Sequence, residues 1–224
     1  MTSWRALKIT GLFVVFAAIV ALATWLAGTV RTGGLLPFDE PVMRWIHAQN
    51  TPWLTNILLV ITQVGGGIGI MLLTTGVILW LIKNKHVYRA WFVAVTVAGA
   101  GLLNVCLKLL FARERPDFWQ HLVHESSYSF PSGHAMGSSA LVFALIFLAW
   151  KTKWRWWGVV LGMLAVVLIG VSRMYLGVHY PSDIVAGWIV SLVWTLLTYG
   201  VLYGYIKRKQ KRGGRGQDKK TSGD

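Results

Sequence analysis

The residues of this 224-residue chain best suited to chemistry are three cations, two of its six histidines and one carboxylate, set at short fixed spacings. Phe130-Pro131-Ser132-Gly133-His134 is polar, contains glycine and lies between two long apolar runs. It reads as a helix start built to hold an anion. Pro131 presets a helical backbone angle, Ser132 can cap, and Gly133 lets a ligand approach bare amide groups. A helix from Ala135 onward aims its positive dipole end at that spot, which suits phosphate. His134 then stands beside a bound phosphate as a candidate acid or base. Two other groups accompany it: Lys108, six residues, then Arg115-Pro116; and Ser172-Arg173, five residues, then His179, three residues, then Asp183.

The elements that must position these residues are membrane helices. With 55% hydrophobic residues and 13 tryptophans, the chain is too apolar and too segmented for an ordinary soluble domain. The net charge of +14 could suggest nucleic acid, but the basic residues cluster in short loops and a tail between apolar runs, which points to a bilayer as partner and to no nucleic acid. Ile9 to Val30 is uncharged over 22 residues, roughly 33 Å of helix, and forms the first span. Its length argues against a cleaved secretory signal. Arg31 to Asn50 holds a helical pattern in Val42, Trp45 and Ile46, predicting a short interfacial helix. Trp53 to Ile82 is uncharged for 30 residues, with Gly65, Gly66 and Gly67 as punctuation, so the second span is placed at Gly67 to Ile82 behind a helical segment from Trp53 to Val64. Uncharged runs of 18, 16 and 17 residues follow Arg89, His134 and Arg155 as the third, fourth and fifth spans, and the sixth runs from Ile184 to Ile206. The expected fold is all-α: a six-span bundle over residues 1–206 with one interfacial helix after the first span. Residues 207–224, with eight Lys or Arg, form a basic, disordered tail suited to an anionic cytoplasmic leaflet.

Six spans put both termini on one side. Basic clusters at the N-terminus, Lys83 to Arg89, Lys151 to Arg155 and the tail make that side cytoplasmic. Lys108, Arg113, Arg115, His134, Arg173, His179 and Asp183 then converge on the outer face, where basic residues run against the positive-inside tendency. Snorkelling accounts for any one of them but not for the group. Span lengths of roughly 24 to 27 Å place that site at or just below the outer headgroup layer, where a lipid phosphate lies. His47 and His86 read as structural. His121, His124 and Glu125 lack the spacing of a zinc-protease helix and are assigned, with Arg113, Asp117 and Tyr128, to the entrance. Cys106, the single cysteine, is assigned to core packing and the Ser172 hydroxyl to support of the site.

With these three groups the chain resembles the type 2 phosphatidic acid phosphatase (PAP2) superfamily, whose signature motifs occur here in order. The resemblance implies that His179 is the nucleophile, forming a phosphohistidine, that Asp183 orients it, and that His134 protonates the leaving group. It implies that Lys108, Arg115, Arg173, Ser132 and Gly133 hold the phosphate oxygens, with no metal and no cofactor. Elementary chemistry agrees: phosphoryl transfer needs preset positive charge, and histidine is a competent nucleophile when a carboxylate holds its other nitrogen. Pro181 is expected to start the sixth helix, leaving His179 just before it and Asp183 in its first turn. The implied activity is a lipid phosphatase releasing the terminal phosphate of a membrane phospholipid. Phosphatidylglycerophosphate is the expected substrate and undecaprenyl diphosphate its rival. A non-enzymatic lipid transporter or scramblase would need the cations but not both histidines and Asp183, and a haem-binding bundle would use the histidines as axial ligands.

Overall fold

A computed structural model describes residues 10, 17, 18 and 21–221, with side chains described as far as Ile206. The expected first span therefore lies largely outside the described residues; its last part, 21–31, is helix α1. The other described helices are α2 (Asp39–His47), α3 (Pro52–Gly65), α4 (Gly67–Lys83), α5 (Val87–Phe111), α6 (Gly133–Ala149), α7 (Arg155–Tyr175) and α8 (Pro181–Thr221). Their ends follow local chemistry. Helix α2 carries Asp39 and Glu40 in its first turn and Arg44 and His47 in its last, complementing its dipole. Helices α3 and α8 begin on proline. Gly66 takes an extended conformation between α3 and α4, and the two helices meet at a 52° bend.

By length and composition, α5, α7 and the Pro181–Ile206 part of α8 can cross a membrane, as can α3 and α4 taken together as one bent span. Helix α6 is apolar but has only 17 residues. Five helical segments thus stand where the sequence places the second to sixth spans, with the Gly65–Gly67 break in the second as expected. The helical backbone of α8 runs on to Thr221, across the segment read as a disordered tail.

Burial is distributed as a bilayer requires. Leu102, Leu109, Leu110 and Val201 are at least 68% exposed, while Asp39, Arg113, Arg173, His179 and Asp183 are buried. Cys106 is exposed on α5 rather than packed in the core. It lies on the apolar outer surface, where a thiol behaves as a small hydrophobe. Helix α6 is the centre of the bundle, packed against α5, α7 and α8. Five of its eight buried residues, Ala135, Ser138, Ser139, Ala140 and Ala144, are small and let neighbouring helices come close, while Met136, Leu141 and Phe143 fill the space between them. Every helix end that carries a residue of the three motifs meets at one end of this central helix.

Candidate active site

The helix start at Ser132 is built as the sequence predicts. Helix α6 begins at Gly133, and the Ser132 hydroxyl accepts a hydrogen bond from the Ala135 N–H at 3.4 Å. The Ser132 N–H donates to the Asp183 carbonyl at 3.1 Å, and Asn104 donates to the Pro131 carbonyl at 2.9 Å. These bonds tie α6 to α8 and α5. His134 comes within electrostatic reach of Arg173, Glu125, Arg115 and Lys108. A side chain at Gly66 would place its first carbon 3.3 Å from His134 Nε2, so the bend between α3 and α4 lies directly against the imidazole.

His179 lies in the turn between α7 and α8, with Asp183 in the first turn of α8. Gly177 has φ +81°, and a side chain there would meet Trp119 at 2.7 Å, so the turn accepts only glycine without strain. The two imidazole nitrogens face different partners. Nδ1 lies 3.4 Å from Asp183 Oδ2, while Nε2 lies 3.3 Å from the Arg115 guanidinium. Burial pushes the His179 imidazole well below its usual range; Asp183 opposes that effect, and Arg173 and Arg115 reinforce it. The ring is therefore held neutral, the form that can attack phosphorus.

Asp183 is fully buried and saturated with donors. Its Oδ2 accepts from the Ser129 hydroxyl at 2.5 Å and the Tyr180 N–H at 2.9 Å, and its Oδ1 pairs with Arg113 at 2.6 Å.

The cations gather around the 112–132 segment. Arg115 donates to the carbonyls of Ser127 at 2.9 Å and Val178 at 2.7 Å. The Lys108 ammonium donates to the Ser127 hydroxyl at 3.0 Å and to the Tyr128 carbonyl. Arg173 donates to the Thr62 hydroxyl at 2.8 Å and pairs with Glu125, whose other oxygen lies 3.6 Å from Arg115. The Nε–H of Arg173 is buried with no partner. Burial alone would raise the Glu125 carboxyl, but Arg173 and Arg115 together hold it below its usual value. A carboxylate thus sits between two guanidiniums that are expected to hold phosphate. Among the described residues, no group of three His, Cys, Asp or Glu has the geometry of a metal site.

Several sequence assignments need correction. Arg113 does not line an entrance: it is 8% exposed and bridges Asp183 to Asp39. Glu125 belongs to the cation cluster itself. The Ser172 hydroxyl bonds back to the Ile169 carbonyl within its own helix and does not reach the site. Sequence reasoning missed Asp39 and Ser129 altogether. For Asp39 a signal was present, since an acid in a chain with only eight, set beside apolar residues near a membrane surface, calls for a partner.

Among the described residues, a helical bundle gathers two histidines, a buried carboxylate and three cations at one end, a set suited to phosphoryl transfer. The chain belongs to the PAP2 superfamily, whose family model matches residues 89–207. It is 32% identical to the phosphatidylglycerophosphatase B of Bacillus subtilis over 183 residues, 78% of this chain and 88% of that one. The crystal structure of the PAP2-type phosphatidylglycerolphosphate phosphatase from Bacillus subtilis superposes with a TM-score of 0.75 at 28% identity, covering 83% of this chain and 94% of the other. An undecaprenyl-diphosphatase of Sulfolobus acidocaldarius is 43% identical over 66 residues, 30% of each chain.

Proposed function

We propose that the chain hydrolyses the terminal phosphate of phosphatidylglycerophosphate, yielding phosphatidylglycerol and inorganic phosphate through a phosphohistidine at His179. One observation carries this reading: His179 turns Nδ1 to a buried carboxylate and Nε2 to the Arg115 guanidinium. Lys108, Arg115 and Arg173, with Ser132 and the backbone of Gly133, hold the phosphate oxygens, and Glu125 withdraws as they arrive. Nε2 attacks phosphorus, the bond from phosphorus to the lipid oxygen breaks, and His134 gives that oxygen its proton. His134 then takes a proton from water, whose oxygen attacks phosphorus, and the P–N bond breaks to release phosphate and restore His179. Asp183 stabilises the positive charge that appears on the imidazole.

The substrate rests on similarity to the Bacillus enzyme across most of both chains. Undecaprenyl diphosphate is the second reading, favoured by the shorter but closer match to the archaeal enzyme. The charge census supports cytoplasmic termini and an active site at the extracytoplasmic face, with residues 1–206 as the phosphatase domain and the basic residues 207–224 lying toward the anionic inner leaflet. Turnover of phosphatidylglycerophosphate, phosphatidic acid and undecaprenyl diphosphate, compared side by side in mixed micelles, tests the assignment. The first should give the highest kcat/KM, and preference for the polyprenyl substrate would overturn it. Phosphate release from purified protein should survive chelator. Loss of turnover with chelator and recovery with Mg²⁺ would overturn the cation-only site.

A further inference from the structure

The charge of the Asp183 carboxylate is shared in a way that the three motifs do not explain. Arg113 lies between two carboxylates, with Nη1 2.6 Å from Asp183 Oδ1 and Nη2 2.9 Å from Asp39 Oδ2. Asp39 comes from α2, the short helix outside the spans, and is 0% exposed. It accepts four donors: Arg113, the Ser182 N–H at 2.9 Å, the Ser182 hydroxyl at 2.8 Å and the Leu36 N–H at 3.2 Å. The Arg113 guanidinium also donates to the Ser182 hydroxyl at 2.8 Å and stacks 4.0 Å from the Tyr180 ring. Tyr180 and Ser182 follow His179 by one and three positions, where the turn passes into α8.

Formal charge in this buried group sums to one negative, from two carboxylates and one guanidinium. A lone Arg113–Asp183 pair would sum to zero, and its full positive charge would oppose the imidazolium that forms when His179 attacks phosphorus. A second carboxylate draws part of that charge away. It also fixes the guanidinium plane, which sets where Asp183 Oδ1 lies and how Oδ2 faces His179. We propose that Asp39 is a positioning residue of the phosphoryl-transfer step, acting through Arg113 to keep Asp183 oriented and negative enough to stabilise the positively charged ring of His179. The proposal rests on His179 being the nucleophile. It also gives α2 a catalytic purpose, since that helix delivers the carboxylate to the motif residues from outside the family-matched region.

The test uses full-length protein in detergent micelles and radiolabelled phosphatidylglycerophosphate, with rapid quenching to follow acid-labile label on the protein. Asp39→Asn should slow label formation and kcat by about 10- to 100-fold, as loss of an outer partner of a reacting group does, while KM stays near its starting value. The double variant D39N/R113Q should be no slower than D39N, because the guanidinium left unshared in the single variant is then gone. A merely structural role would instead make the two losses multiply, and that result overturns the proposal. So does a rise in KM at unchanged kcat. If D39N does not fold, R113Q is compared with the double variant; the double must be at least as active, and lower activity overturns the proposal. Label that forms on the protein at the same rate with and without Asp39 removes Asp39 from the mechanism and leaves His179 in place. Absence of label from the unaltered protein removes both.

Discussion

At the end of the bundle formed by the 83–89 and 151–155 segments, Lys83, Lys85, Arg89, Lys151, Lys153 and Arg155 are all exposed. Lys153 and Arg155 lie over the rings of Trp154 and Trp156, and among the described residues none of the six makes a salt bridge. At the opposite end Arg113 and Arg173 are buried, and Arg115 is half-buried. All three make ion pairs with carboxylates. The two ends carry the same residue types under opposite conditions. Exposed cations beside tryptophan anchor a helix end at an interface and cost little to solvate. Buried cations are held only because carboxylates and carbonyls replace lost water, and in the proposed reaction that arrangement keeps a field ready for an incoming phosphate. Charge alone therefore does not mark the site; charge together with burial and countercharge does.

The hardest test of this contrast is removal of the nucleophile proposed for the buried end. His179→Ala should lower turnover by at least about 10⁴-fold, the scale seen when a nucleophile is deleted from a covalent mechanism, while lipid binding persists. Substantial remaining phosphate release would favour a transporter that uses the cations without the histidines. A pH profile sharpens the same point. Burial keeps His179 below its ordinary value of 6.5, so the proposed nucleophile stays neutral as pH falls through that value. The acid limb of kcat/KM should thus lie below pH 6.5, and a limb at or above it would show the ring to be solvated.

Arg173→Lys comes next. The charge is kept, but lysine cannot pair with Glu125, bond Thr62 and still offer the free Nε–H. Loss of one preset donor to a developing oxyanion costs about 100- to 1000-fold, and kcat is expected to fall on that scale. A change confined to KM would show that Arg173 binds the substrate and its transition state equally.

Much of this contrast was legible in the chain itself. Helix starts at Ser132 and Pro181 follow from capping and proline chemistry within a few residues, and the break at Gly65–Gly67 follows from glycine between apolar runs. Such features are local, so one sequence contains them. Pairings such as Arg113 with Asp39, 74 positions apart, depend on which side of α2 meets the bundle. The pattern of Val42, Trp45 and Ile46 could not settle that: Ile46 is buried and Trp45 is 68% exposed. Arg113 is also set by a backbone detail that carries no sequence signal, since Ala112 ends α5 in a left-handed conformation at φ +44° and turns the next side chain inward. Cys106 was misjudged because in lipid an apolar residue has no reason to seek the core.

Glu125 offers a smaller perturbation within the buried end. Its carboxylate neutralises Arg115 and Arg173 where phosphate is expected, so substrate and product must displace it. Glu125→Gln leaves shape and hydrogen bonding nearly intact and removes the competing charge. Inorganic phosphate should then inhibit about three- to tenfold more tightly, and KM should fall in the same direction, because a larger fraction of the protein is ready to bind. Weaker phosphate inhibition would show that Glu125 orients the arginines for phosphate instead of standing in for it.

The smallest effect is expected at the other end of the bundle and completes the comparison. Lys151→Gln and Arg155→Gln together remove two positive charges from the exposed segment. If long-range field from the whole chain drove phosphate binding, this variant would lose affinity in proportion to charge. Exposed charges farther from the site than about 10 Å are screened at ordinary ionic strength, however, whereas the buried cations are not. Turnover in micelles should therefore change by less than about twofold, within the range of substitutions at solvated surfaces. Raising salt should weaken the difference further, and a loss comparable with that of Arg173→Lys would erase the distinction between the two ends.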